Sequence, residues 1–105
     1  MEYTYFNSRG WTDVEPYEVV RVVSDKTVEI RAMKATQDES WKPNFVPGGF
    51  SAVCTNQNEQ KWIIESDETA EIIRVRKHKN GKWKAAHGGE FRPSDAPRKF
   101  YDFNF

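Results

Sequence analysis

The chain contains no leucine, only one cysteine and no excess of charge of either sign. Leucine is a leading helix former, so its absence beside abundant Val, Ile and aromatic residues shifts the expectation from helix toward sheet. A lone cysteine, Cys54, cannot close an intramolecular disulfide, which fits a reducing compartment. Its neighbours, Phe50 to Val53 before and Thr55 after, suit a small core side chain better than a nucleophile. The 16 basic side chains balance the 16 acidic ones. That excludes a protein drawn onto nucleic acid or anionic membrane by its bulk field and leaves only local patches to do so. No apolar run approaches a membrane span, and Met1 to Tyr5 lacks the basic and apolar regions of a signal peptide. The expectation is a soluble, cytoplasmic protein that does not enter membranes.

Aromatic residues are plentiful instead. They make up 14% of 105 residues, against a modest 37% hydrophobic share and 30% charged. Each ring buries far more area than an alanine, so one core and one domain over 1–105 are within reach. Tyr17 to Met33, YEVVRVVSDKTVEIRAM, reads as a β-hairpin. A three-residue loop, Ser24-Asp25-Lys26, sets Val23 opposite Thr27, Val22 opposite Val28 and Val20 opposite Ile30, with Arg21 and Glu29 paired on the other face. Apolar pairs on one side and an opposite-charge pair on the other are what a half-buried antiparallel ribbon requires.

Residues 1–16 read as an ordered arm or first irregular strand. Residues 35–49, ATQDESWKPNFVPGG, read as a long loop in which only a minor helix over 35–42 could hide. Phe50–Thr55 and Lys61–Glu65 follow as short strands around the turn 56–60, and Ser66-Asp67-Glu68 is a further turn. Glu71–Lys79 and Lys82–His87 flank Asn80-Gly81, the favoured pair for a two-residue type I′ turn. That register pairs Val75 with Ala86 inside and turns Arg74, Arg76, His78, Trp83 and His87 outward. The aromatic terminus, PRKFYDFNF, is expected to pack back on the sheet, because exposed rings would form an apolar patch. The fold class is mostly β: a small SH3-like barrel or strongly bent antiparallel sheet of five to six strands, with a long 35–49 loop.

No catalytic set, metal site or cofactor motif stands out. Cys54, His78 and His87 have no zinc-type spacing. The acidic pairs Asp38-Glu39 and Asp67-Glu68 fall in turns, and the Gly-Gly pairs precede no helix signal. Two surfaces have a mechanism. The run 74–84, RVRKHKNGKWK, offers Arg74, Arg76, Lys77, His78, Lys79, Lys82 and Lys84 to phosphate, with Trp83 as a stacking platform. In the long loop, Trp41, Phe45 and Val46 lie between polar residues and prolines and suit protein recognition; alternatively Trp41 and Phe45 fold down as a lid on one end of the barrel.

YEVVRVVSDKTVEIRAMKA, SWKPNFVPGGFSAVCTNQNEQKWIIE, IRVRKHKNGKWK and the ending PRKFYDFNF together resemble a group of small bacteriophage and prophage proteins. The shared motifs are aromatic and β-rich, so they mark kinship and carry over no functional residue. The resemblance implies a phage gene acting inside a bacterial cell. By analogy, it implies a non-enzymatic accessory protein that occupies a host protein, an anti-defence inhibitor being one form. The alternative is a nucleic-acid-binding small barrel using the basic hairpin. A monomer and an edge-paired homodimer both remain open.

Overall fold

The structure is a computed structural model describing residues 4–9, 13–48 and 51–101. Among the described residues there are ten strands: β1 (Tyr5–Arg9), β2 (Val14–Ser24), β3 (Thr27–Ala32), β4 (Lys34–Gln37), β5 (Phe45–Gly48), β6 (Ser51–Cys54), β7 (Trp62–Glu65), β8 (Ile72–Lys77), β9 (Trp83–Ala85) and β10 (Glu90–Ser94). Six of them close an antiparallel barrel in the order β1-β10-β9-β8-β3-β2. Closure leaves the barrel no free sheet edge, so edge pairing of two copies through an open barrel does not apply. Among the described residues there is no α-helix; 35–42 holds β4 instead, and one 3₁₀ turn spans Gln57–Glu59.

Rings fill the barrel, which is how a chain without leucine makes a core. Phe6, Val28, Ile30, Val75, Trp83, Ala85 and Phe91 are buried together, with Tyr17, Val19 and Ile73 packed against them. Phe6 meets Trp83 edge-on at 5.1 Å between centroids, and Tyr17 meets Phe91 at 5.0 Å. Edge-to-face pairs of this kind contribute about 1 kcal/mol each beyond the area they bury.

Both hairpins exist, and both differ by one residue from the register expected. In the first, Ser24 rather than Val23 faces Thr27, so the loop is the two residues Asp25-Lys26. Neither has a positive φ, so this is not a primed turn. Bulges at Val23 and Val20 restore the twist that an unprimed turn would spoil. The first bulge recovers the Val22–Val28 and Arg21–Glu29 pairings, although Val22 is exposed rather than on the buried face expected for it; the second places Val19, not Val20, across from Ile30. Val20 is left partly exposed, at 37%.

In the last hairpin the loop is three residues, Lys79-Asn80-Gly81. The His78 N–H donates to Lys82 O at 2.8 Å and the Gly81 N–H to His78 O at 2.9 Å, with Gly81 at φ +83°. A type I′ turn needs positive φ at Asn80 as well, and Asn80 does not have it. Val75 therefore pairs with Ala85 instead of Ala86, and Trp83 points into the barrel at 4% exposure rather than outward. A one-residue slip exchanges the faces of a strand, and burying an indole decides which slip is adopted.

Residues 35–49 are not a plain loop. β3 pairs with β8, β4 with β7, and β5 with β6, all antiparallel. The chain from Lys34 to Glu65 is thus a nested two-stranded arm continuing outward from the β3–β8 pair. It gives the molecule extents of 50 × 28 × 22 Å and a radius of gyration of 15.8 Å, against about 13 Å for a compact chain of this length. The start of the expected strand Phe50–Thr55 lies outside the described residues at Phe50, Ser51–Cys54 forms β6, and Thr55 falls beyond its end. At the C-terminal end Phe100 bridges to Val14, so this part of the aromatic terminus does pack back; Phe103 and Phe105 lie outside the described residues.

Trp83→Ala should lower unfolding stability by about 3–5 kcal/mol in urea titration, while Lys84→Ala, on the outer face, should stay within about 0.5 kcal/mol. Equal costs would contradict the inward register of β9.

Candidate binding surfaces

The arm is held by polar side chains at its base and by a small apolar centre at its middle. Trp41 (6% exposed) and Cys54 (4%) are buried there, so Trp41 is withdrawn from the recognition surface expected for it and acts in the arm's own packing. Phe45 and Val46 remain exposed. Val46 sits directly across from Val53, which is exposed as well, so the two form an apolar pair on one face of the ribbon. Pro43 to Asn58 carries no charged side chain, although 30% of the chain is charged. This signal was available in the sequence and is more telling than the individual aromatics.

Asn56 ties the middle of the arm together. Its Oδ1 accepts from the Asn44 N–H at 2.8 Å and from Cys54 Sγ at 3.4 Å, and its Nδ2 donates to Lys42 O at 2.9 Å. Gln60 does the same at the base and uses its full hydrogen-bonding capacity. Its Oε1 accepts from Trp62 Nε1 at 2.6 Å and the Tyr101 N–H at 2.9 Å, while Nε2 donates to Gln57 O and Tyr101 O at 2.8 and 2.9 Å. The side chain pairs with the Tyr101 backbone much as a neighbouring strand would. Lys99, beside it, is ion-paired with Glu15 and lies over the Trp62 ring at 5.5 Å. Buried Asn7 accepts from the Arg98 N–H at 3.0 Å. Residues 98–101 are thereby a clasp between barrel and arm, and sequence alone offered no sign of Asn7 or Gln60 in that role.

Glu18 completes the base. Its carboxylate accepts from Arg31 at 2.6 and 3.2 Å and from Ser66 Oγ at 2.8 Å. Burial works to raise its pKa, but the Arg31 and Ser66 hydrogen bonds and the Arg31 charge outweigh this and hold it below the ordinary glutamate range. The acidic residues expected in turns build those turns. Asp38 accepts from the Ser40 N–H at 2.9 Å, and Asp67 accepts from the Thr69 N–H and Oγ1 at 3.0 and 2.6 Å. These bonds lower both carboxyl pKa values.

The second surface is the basic run 74–84, and the fold rearranges it. Trp83 is inside, so it offers no face to a base. Arg74 is bound to Glu29, which also receives Arg21, at 3.1 and 3.2 Å, and Lys82 approaches Glu90 at 3.6 Å. Arg76, Lys77, His78 and Lys79 are exposed, and Lys84, half-buried, sits across from Arg76. Among the described residues no three His, Cys, Asp or Glu side chains converge on a metal-sized site. No described helix is long and apolar enough to cross a membrane. Comparison of the chain with protein-family models, curated proteins and solved structures gives no match.

Two measurements test the clasp. Gln60→Ala should raise the exchange rate of the Tyr101 amide at least tenfold by hydrogen exchange, leaving the Val75 amide in the barrel protected. Because the folded pKa of Glu18 is depressed, its contribution is present above the unfolded glutamate pKa and lost as pH falls through the folded value. Glu18→Gln should therefore remove part of the wild-type stability at pH 7 and leave a smaller difference at pH 3.

Proposed function

We propose that this protein is a non-enzymatic binding module whose barrel is a scaffold and whose arm recognises a partner protein. The observation that carries the reading is the arm itself. A two-stranded ribbon is marginal on its own in water, yet Lys34 to Glu65 leave the barrel, are clasped at the base, and end in an uncharged segment with Val46, Val53 and Phe45 exposed. Depletion of charge around apolar side chains is the composition of an interface centre. A fixed ribbon also limits the ordering entropy lost on binding.

The occupant this surface fits is a partner protein with an apolar groove, entered by the Val46–Val53 face. The sequence resemblance to phage and prophage proteins is what points this reading to a partner in a bacterial host cell, and blocking a host defence factor is its most specific form. Occupation of a host protein needs no catalytic group on this chain.

The test compares wild-type protein with Val46→Asp and Val53→Asp as baits in host lysate, followed by calorimetry with the purified partner. A stoichiometric host protein retained by wild type and bound at least tenfold more weakly by both variants is the expected result. Identical recoveries by wild type and variants would overturn it. Dimerisation of the wild type that both variants abolish would also overturn it, assigning the face to a second copy.

A further inference from the structure

The barrel carries a second surface at its other end. β3 begins at the Asp25-Lys26 turn and finishes where the arm leaves; β8 returns from the arm and finishes at the Lys79-Asn80-Gly81 turn. The two turns therefore share the rim opposite the arm. They are joined there: the Lys77 N–H donates to Lys26 O at 2.8 Å, and Thr27 pairs with Arg76. Between them lies an open hollow lined by Lys26, Lys77, His78 and Lys79, with Asp25 the only carboxylate among the described residues. Lys26 comes from a part of the sequence remote from the basic run and reaches the site only through the β3–β8 pairing.

The cations at this rim are not occupied by acids. The neighbouring carboxylates Glu29 and Glu90 are engaged by Arg21, Arg74 and Lys82. Lys26, Arg76, Lys77 and Lys79 have no salt bridge among the described residues, and all four are exposed. In a chain of zero net charge this is a local excess of positive charge at one pole, opposite the arm with its uncharged stretch Pro43 to Asn58. The strands that carry it lie about 4.8 Å apart, so the rim faces several charges of a duplex with one phosphate per about 1.7 Å of axis.

We infer that the rim formed by the Asp25-Lys26 and Lys79-Gly81 turns binds the phosphate backbone of double-stranded nucleic acid through Lys26, Arg76, Lys77 and Lys79. The contact is electrostatic and sequence-independent. Base stacking plays no part, because Trp83, the ring nearest in sequence, faces the barrel core. An anionic membrane is the poorer fit: Val22 and Val23 are exposed beside the turn, but among the described residues the rim offers no Trp or Tyr to anchor at a lipid interface. The site is independent of protein recognition by the arm.

Fluorescence anisotropy with a labelled mixed-sequence DNA duplex tests the inference. With four phosphate contacts, affinity should fall roughly 150-fold between about 50 and 200 mM salt, a log–log slope near −3.6. The doubly reversed variant Lys77→Glu/Lys79→Glu should bind at least tenfold more weakly at low salt with an unchanged thermal midpoint. Val46→Asp should bind the duplex as wild type does, which separates this site from the arm. Tryptophan emission should not quench as the duplex saturates. Absence of binding at about 50 mM salt, a slope near zero, wild-type affinity in the charge-reversed variant, or equal retention on phosphatidylserine vesicles would each overturn it.

Discussion

The hydrogen-bonded ladder between Thr27–Ala32 and Ile72–Lys77 is the constraint on which the rest of the molecule depends. It joins strands far apart in sequence, closes the barrel, and leaves residues 33–71 to leave and return at one end. Once those two strands are neighbours, the intervening chain has no place in the barrel and pairs with itself as an arm. The same ladder brings the Asp25-Lys26 turn against Lys77 at the far rim. Both candidate surfaces are consequences of this one pairing.

Inside the barrel the ladder is supported by rings rather than by aliphatic bulk. Phe6, Trp83, Tyr17 and Phe91 interlock edge-on, and the β-branched residues Val28, Ile30 and Val75 fill the space between them. Outside it, the Arg21–Glu29–Arg74 row crosses three strands, but its arginines are 63% and 47% exposed and add little to stability. Its larger effect is on charge. It takes Arg74 out of the basic run and leaves Arg76, Lys77 and Lys79 as exposed cations toward the rim.

The arm depends on a different set of forces. Its base is fastened by polar side chains that complete their hydrogen bonds across sequence distance, Gln60 to Tyr101 and Glu18 to Arg31 and Ser66. Such partners have no local signature: an amide in NQNEQ looks like any turn residue until the strand it pairs with is in place. Trp41 shows the converse. Its place in sequence beside the exposed Phe45 and Val46 suggested display, but it is buried in the arm, as Cys54 is.

Local alternation of apolar and polar side chains was enough to establish from sequence that this chain is a small, mostly β domain. It also placed both hairpins, the Val22–Val28 and Arg21–Glu29 pairs, and Cys54 as a buried residue. Loop length was not legible, since Ser24-Asp25-Lys26 and Lys79-Asn80-Gly81 each permit two turns that differ by one residue. With a side-chain period of two, that single residue decides whether Val19 or Val20 is inside, and whether Trp83 is core or surface. Only the closed barrel resolves the choice, because the gain from burying Trp83 against Phe6 arises across strands that the sequence does not place side by side.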